Sequence, residues 1–294
     1  MIVFWVLIAC AAGMTLAQIA VPGSAVFHTG WYNAIDIAAL IIAALQLRSA
    51  SASASGRFQS LAIMTFGCAV VVIAGAGSGL MAPDTHTIVG APGASVRDPD
   101  ANGTFVFPLQ GNDVHFERGG SASTIDGGRR YTANFAFWQQ PRTVVNVQAA
   151  DANGNHLTIT QPTNASFLSP VLLMQQTTTI AGMDVRYDTF SVPAASRSVR
   201  AVLFTPQQAA QLRSSAIVPG QAAILFAVSD LHDRSIPNGI AVTAPGVPRA
   251  IGGLQLSGTV GSYPAIVVAS IPYLPVTALG IIVLIFGAIR WRLR

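Results

Sequence analysis

The sequence predicts a membrane α plus all-β fold, in which four transmembrane helices carry one large extracytoplasmic β-sandwich or barrel-like domain between helices 3 and 4. Three observations lead to this prediction. Half of the 294 residues are apolar and only a tenth are charged, well below the quarter that is typical of soluble domains. Four apolar segments approach the roughly 17 to 25 residues that cross a bilayer as a helix. A polar segment of about 190 residues separates the third apolar segment from the fourth.

The four predicted spans cover residues 1–21, about 31–47, 58–81 and about 274–289. They divide the chain into a three-helix membrane region (1–82), an extracytoplasmic β domain (83–271) and a C-terminal transmembrane helix with a basic tail (272–294). The first span could instead be a cleaved signal peptide, because "TLAQIA" offers small residues near a cleavage point. Its start, "MIVFW", lacks the positive charge of a signal peptide, so we expect the span to be retained.

Arginines orient the spans. Arg48 and Arg57 flank the Ser-Ala loop "RSASASASGR" between spans two and three, and "RWRLR" ends the chain, whereas the loop "PGSAVFHTGWYN" has no charge. Because basic residues favour cytoplasmic loops, we expect the Ser-Ala loop and both termini to be cytoplasmic and the β domain to lie outside. Residues 83–271 hold eleven arginines and eleven acidic residues. The high pI is therefore a consequence of topology and not a nucleic-acid footprint.

The predicted β domain shows strand and turn signals. Alternating runs such as "RYTANFAFW", "RTVVNVQAAD" and "RSVRAVLF" are typical of strands. Asn153-Gly154 in "DANGNH" suits a hairpin turn that needs positive φ, and Pro206 could begin a short helix over about 206–212. We expect one packed all-β domain.

Motifs of catalysis are scarce, so we expect a protein that is not an enzyme and has no catalytic or metal-binding residues. "DPDANG" matches the opening of a calcium loop, with Asp98, Asp100 and Asn102 at its first ligand positions. Leu109 stands where the loop needs a glutamate, which favours a surface turn. The five histidines lack metal-ligand spacing. No hydrolase or phosphate-binding motif is present.

Cysteine usage is also informative. Cys10 and Cys68 both fall in predicted spans, and the chain has no CxxC or CxxCH motif. A disulfide framework, a thiol-disulfide relay and covalent c-type haem attachment are therefore excluded.

Two features inside the predicted spans could carry a role. Asp36 lies early in the second span, where an ionisable group must reach the interface or find a partner. We expect it to reach the external headgroups, being about one turn below Trp31. Gly75 and Gly79 lie four residues apart in the third span and would allow a close helix contact, either within the bundle or with another membrane subunit.

The layout resembles the ResB (CcsB) proteins of system II cytochrome c biogenesis, and the resemblance covers most of the chain in order. Three segments carry the resemblance. They are the second span "VFHTGWYNAIDIAALIIAALQLRS", the strand-turn-strand region "RTVVNVQAADANGNHLTITQPTNASFLSPVLLMQQ" and the closing segment "GGLQLSGTVGSYPAIVVASIPYLPVTALGIIVLIFGAIRWRLR". The chain departs from the family where "IPY" replaces its Asp-Pro-Gly before the last span and "FQSLA" replaces a histidine expected near the start of the third.

The resemblance implies a scaffold or chaperone in the bacterial cytoplasmic membrane that delivers haem to apocytochrome c with a ResC (CcsA)-type partner. If haem binds, His28 and His86 are the first candidates for cofactor binding, because they flank spans on the outer side and imidazole is the usual axial ligand. The loss of the family histidine, the near-neutral external region and the glycines of the third span favour the alternative, a non-catalytic accessory subunit of a larger respiratory or photosynthetic membrane complex.

Overall fold

Long apolar runs form the helices of the computed structural model, which describes residues 2–51, 56–109, 111–161, 170–212 and 216–293. The centre of the Ser-Ala loop, most of "PTNASFLSP", the side chain of Arg57 and all of Arg294 lie outside the described residues. The long helices are α1 (Ile2–Ala20), α2 (Gly30–Ser51), α3 (Gly56–Met81) and the last helix, α5 (Leu274–Arg292).

Within the described residues, three of these helices, α2, α3 and α5, are long and apolar enough to cross a membrane. The described side chains of α1 are equally apolar from Trp5 to Ala20, a run just short of a full span. The protein is therefore a membrane protein with a large β-structured part.

The end of α5 and the start of α3 lie together at one end of the helical bundle. Arg290, in the last turn of α5, donates a hydrogen bond of 3.1 Å to Gln59 Oε1 near the start of α3. The end of α5 thus lies beside the start of α3 and the end of α2, and the β-structured part lies at the opposite end of the bundle. Arg290 and Arg292 also favour a helix C-terminus, where the macrodipole attracts cations.

The described strands between α3 and α5 all pair antiparallel. They are β1 (His86–Ile88), β2 (Ser95–Asp98), β3 (Gly103–Val106), β4 (Val114–Arg118), β5 (Ser121–Ile125), β6 (Arg130–Tyr131), β7 (Phe135–Ala150), β8 (His156–Leu157), β9 (Val171–Leu172), β10 (Gln176–Ile180), β11 (Met183–Val192), β12 (Arg197–Phe204), β13 (Ala223–Asp230), β14 (Ser235–Thr243), β15 (Arg249–Ile251) and β16 (Leu254–Ser270).

Within the described residues these strands form three sheets. Strands β2 to β5 make one meander and β10 to β14 another. The third sheet is built on the long pair β7 and β16, with β1, β6, β8, β9 and β15 at its edges. This agrees with the predicted membrane α plus all-β class, while the division into three sheets refines the prediction of one sandwich or barrel.

Several local sequence predictions in this region are confirmed, whereas the run "RYTANFAFW" is a hairpin of β6 and the start of β7 and not one strand. The run "RSVRAVLF" is β12, and "DANGNH" turns between β7 and β8 with Gly154 at φ 85°. The predicted short helix is α4 (Pro206–Ala209), whose start is capped reciprocally by Thr205 and Gln208. Short-range turn and cap chemistry decides these elements, so they can be read from a few adjacent residues.

The β structure divides into two lobes along β7 and β16. In the helix-proximal lobe, β1 to β6 and the Phe135–Val144 part of β7 enclose a core that includes Phe105, Phe116 and Ile266. In the distal lobe, β8 to β15 and the Val145–Ala150 part of β7 enclose a second, largely aliphatic core. Val144 belongs to the helix-proximal core and its neighbour Val145 to the distal core, so the two cores adjoin at this point of the long strand pair.

Candidate functional site

Titratable side chains gather where the helices meet the helix-proximal lobe. His28 ends a short 3-10 turn between α1 and α2 (Ala25–His28), Asp84 lies between α3 and β1, and His86 begins β1. Asp98 and Asp100 come from the end of β2 and the turn after it. We call these five residues the junction cluster.

The first histidine ties the helical part to both the α3–β1 connection and β16. His28 Nδ1 lies 3.6 Å from Asp84 Oδ1, and His28 Nε2 lies 3.4 Å from Ser270 Oγ. The Asp84 side chain is 88% exposed, and an ion pair with such an exposed partner contributes little to stability. The contact of His28 with Ser270 is partly buried. His28 therefore acts here as a packing and hydrogen-bonding residue at the joint.

The second histidine bridges Asp84 and the β2–β3 turn. His86 Nδ1 lies 3.3 Å from the backbone oxygen of Asp84, and His86 Nε2 lies 3.4 Å from Asp98 Oδ2. The Asp98 side chain is only 3% exposed. Its Oδ1 accepts a hydrogen bond of 3.1 Å from the Asp100 backbone N–H. Its Oδ2 has no hydrogen-bond partner among the described residues, although His86 Nε2 lies within ion-pair distance.

The structure brings together the two histidines proposed from sequence, since both contact Asp84. Both ring nitrogens of His28 and of His86 face a partner within the fold. A cleft of about 470 Å³ opens nearby between α3, α5 and the start of β7, lined mostly by apolar side chains with Ser78 and Asn134. Neither histidine lines it.

The other histidines lie apart from the junction cluster. His115 on β4 pairs with Thr124 at 3.2 Å, His156 begins β8, and His232 is exposed in the turn between β13 and β14.

Sequence reasoning missed the burial of Asp98. The predicted turn at "DPDANG" is confirmed as the β2–β3 hairpin, with Asn102 at φ 48°, but Asp98 is not a surface residue of that turn. A signal was available in the period-two alternation of β2, which puts Asp98 on the same face as Val96, a side chain packed against the helix-proximal core.

A second polar group lies inside the helical bundle, between α1 and α2. Gln18 Nε2 donates a hydrogen bond of 2.9 Å to the hydroxyl of Tyr32. Asp36, one turn further along α2, is fully buried, and neither carboxylate oxygen has a hydrogen-bond partner among the described residues. The expectation that Asp36 reaches the external headgroups is therefore wrong. Packing of α1 and α3 around α2 encloses the side chain before it can extend to the interface.

The glycines singled out in the third span face neighbours inside the bundle. A Cβ at Gly75 would collide with the side chain of Thr15 on α1, and one at Gly79 would collide with Asn33 on α2 and the backbone oxygen of Phe27. The structure thus places both close contacts within the chain, whereas the sequence left open a contact with another subunit. The closest approach of α3 to α5 uses other glycines, Gly67, Gly280 and Gly287.

Comparison of the chain with protein-family models, with curated proteins and with solved structures finds no match.

Proposed function

We propose that the protein is a non-catalytic accessory subunit, a membrane-anchored scaffold that holds its β lobes in a fixed orientation for a partner in a larger membrane complex. The observation that carries the proposal is the set of contacts that join the bundle to the helix-proximal lobe, from which we infer a rigid joint. A rigid joint suits a structural subunit, because it fixes where the partner is presented.

The joint is made at two further points besides the junction cluster. At the end of α1, Arg129 Nη1 donates a hydrogen bond of 2.6 Å to the backbone oxygen of Ala20, and the Tyr131 hydroxyl donates one of 3.4 Å to that of Ile19. The Arg129 guanidinium also lies 5.6 Å from the ring centroid of Trp138 on β7. These contacts satisfy carbonyls that a helix end leaves unpaired and place a cation at the negative end of the helix dipole.

The last helix follows the sheet almost without a linker. Only Ile271 to Tyr273 separate β16 from α5, and the backbone N–H groups of Ile271 and Leu274 donate to the backbone oxygens of Asn134 and Ala133 at 3.0 and 2.7 Å. A reorientation of the helix-proximal lobe would have to break these bonds. The joint therefore supports a fixed platform.

The proposed topology has four spans, with α1 as the first, both termini in the cytoplasm and the β lobes outside. The described arginines at the helix ends support it, because Arg48, Arg290 and Arg292 lie at the end of the bundle opposite the β lobes and basic residues favour the cytoplasmic side. Fusing a fluorescent protein that matures only in the cytoplasm after residue 294 should give fluorescent cells. Alkaline phosphatase inserted at Leu231–Asp233 should be active, and an inactive insertion would contradict an external β domain.

Co-purification tests the scaffold. Tagged full-length protein, crosslinked in its native membranes and extracted in mild detergent, should carry a stoichiometric membrane partner. Arg129→Ala should lower recovery of that partner severalfold at an unchanged amount of protein. The matched control is Arg249→Ala, which removes a distal-lobe arginine that donates 2.9 Å to the Val242 backbone oxygen. Recovery of the chain alone, or equal loss with both variants, would contradict the proposal.

Haem delivery to apocytochrome c with a ResC (CcsA)-type partner is the second candidate function. The resemblance in sequence implies it, and the meeting of His28 and His86 at Asp84 favours it, although both imidazoles would first have to leave their present partners. The purified protein should then show a Soret band that is lost in His28→Ala or His86→Ala and retained in His232→Ala. A colourless protein that also gives no Soret shift on haemin titration would rule it out.

A further inference from the structure

One part of the junction cluster has the composition of a metal site. His86, Asp98 and Asp100 each offer one ligand atom, and these atoms all lie within 4.8 Å of one another. We propose that these three side chains bind a divalent transition-metal ion, with Zn²⁺ the ion that suits them best. The proposal does not depend on the scaffold function proposed above, and it competes with the haem function for His86.

The distance between His86 and Asp98, the two less exposed ligands, fits such an ion. Zn²⁺ binds imidazole nitrogen and carboxylate oxygen at about 2.1 Å in tetrahedral geometry, which sets neighbouring ligand atoms roughly 3.4 Å apart. His86 Nε2 and Asp98 Oδ2 lie 3.4 Å apart. Asp100 is exposed and lies in the β2–β3 turn, so its carboxylate can close the remaining distance by a rotation of its side chain.

Hydrogen bonds to neighbouring backbone groups orient both His86 and Asp98. His86 Nδ1 faces the backbone oxygen of Asp84 at 3.3 Å, and a carbonyl oxygen can only accept, so Nδ1 is the donor in this contact and Nε2 of the neutral ring presents a lone pair. A histidine that ligates a metal almost always donates its other ring N–H in this way. Asp98 Oδ1 is held by the Asp100 N–H, which turns Oδ2 toward His86. Two acceptors then face each other, an arrangement that a bound cation stabilises.

Burial supplies the independent reason to expect a ligand. A carboxylate that is 3% exposed is costly unless its oxygens are paired. Asp98 Oδ2 has no hydrogen-bond partner in the described part of the chain. A metal ion would pair it, as would a second proton on the His86 ring. The experiment below separates these two occupants.

The donor set selects the class of ion. Calcium takes oxygen ligands only, whereas one imidazole and two carboxylates suit zinc and its neighbours. The site therefore differs from the calcium loop suggested by "DPDANG", since it takes His86 from a different strand and does not need Asn102. Because β1 belongs to the sheet of β7 and β16 and β2 to the β2–β5 sheet, the ion would clamp two sheets together directly after α3.

Metal titration of the full-length protein in detergent tests the site. After treatment with a chelator, the protein should bind one Zn²⁺ per chain by calorimetry, and Co²⁺ should give a visible d–d spectrum that Zn²⁺ abolishes. His86→Gln and Asp98→Asn should each weaken Zn²⁺ binding by more than about 100-fold, since even outer-shell losses cost 10- to 100-fold. Asp100→Asn provides a third variant on an exposed residue in case burial makes Asp98→Asn unstable.

Matched controls are His232→Gln and Asp113→Asn, two exposed residues away from the cluster, and both should bind as the unmodified protein does. Zn²⁺ should also slow amide hydrogen exchange in β1 of the unmodified protein. The proposal is overturned if the chelated protein binds no Zn²⁺ below millimolar concentration, which would leave the proton as the occupant. It is equally overturned if binding survives both His86→Gln and Asp100→Asn.

Discussion

The helix-proximal and distal lobes share one pair of strands but are filled with different side chains. The helix-proximal core contains five phenylalanines and Tyr263, whereas the described main core of the distal lobe consists of Val, Ile, Leu, Met and Ala side chains with only Phe190 and Phe226. The helix-proximal lobe also carries the junction cluster and the contacts to α1 and α5.

Strand length accounts for the difference. Strands β2 to β5 are four or five residues long, while β11 to β14 are eight to ten. A short strand contributes few inward side chains, so large aromatic rings are needed to fill the space. Phe105, Phe116 and Phe137 do so as a mutually contacting set, with ring centroids 4.7 to 5.7 Å apart. Burial also raises the pKa of Tyr263, whose hydroxyl donates 2.7 Å to the Pro108 backbone oxygen.

The lobes meet at a two-stranded waist. Pro141 and Pro264 face each other in the β7–β16 pair, and among the described strands no third strand pairs with either of them. Proline has no N–H to donate, so it is tolerated where no neighbouring strand needs one. Because only two strands connect the lobes at this waist, we expect the two lobes to unfold separately.

The largest expected effect is in the aromatic core. Phe137→Ala removes the ring that contacts both Phe105 and Phe116 and should destabilise the helix-proximal lobe by about 3–5 kcal/mol. Phe226→Ala, the matched change in the distal core, should have a similar cost in its own lobe. Hydrogen exchange in detergent should rise in β3 and β4 with the first variant and in β12 and β13 with the second. Loss of protection in both lobes with either variant would show that the waist does not separate them.

An intermediate effect should distinguish rigid from adaptable packing. A Cβ at Gly103 would collide with the Phe116 ring, while one at Gly258 would meet mainly the flexible end of Ile224 at 2.8 Å. We expect Gly103→Ala to cost about 1–3 kcal/mol and Gly258→Ala clearly less, because an isoleucine terminus can rotate and a ring held by two other rings cannot. The free energy of unfolding of the two variants gives the comparison, and equal costs would contradict it.

The smallest effect is a pH dependence in the distal lobe. Asn155, through its side-chain amide and backbone N–H, and the Asn153 backbone N–H hold the pKa of Asp151 below its usual range. Its stabilising contribution is present above the unfolded pKa of about 3.9 and is lost as pH falls through the lower folded value. Asp151→Ala should therefore lower the melting temperature slightly at pH 7, with the difference shrinking below about pH 4.

Asp188 serves as the contrast within the same lobe, because burial raises its pKa. The cost of its ionised form should decline as pH falls through that raised value, so its pH dependence has the opposite sign. A melting-temperature difference for Asp151→Ala that grows on acidification would refute the assignment of the Asp151 contribution.

Much of this architecture could be predicted from short stretches of sequence. The apolar runs locate the four long helices, the alternation of "RSVRAVLF" locates β12, and Asn153-Gly154 and Pro206 mark a turn and a helix start. Each of these depends on interactions within a few residues. The candidate histidines His28 and His86 could also be named from sequence. His28 lies between the first two spans and His86 follows the third, which places both at the same end of the bundle.

The remaining features depend on contacts between distant parts of the chain. The pairing of β7 with β16 joins residues more than 100 positions apart, so no local pattern specifies it or the two cores built along it. The same holds for the approach of Asp98 to His86 and for the enclosure of Asp36 by neighbouring helices. The sequence by itself determined the long helices, a strand such as β12 and the turn and cap residues, since periodicity and turn chemistry are local. Only the tertiary structure decided which polar groups are buried together, because burial is a property of the neighbours that packing supplies.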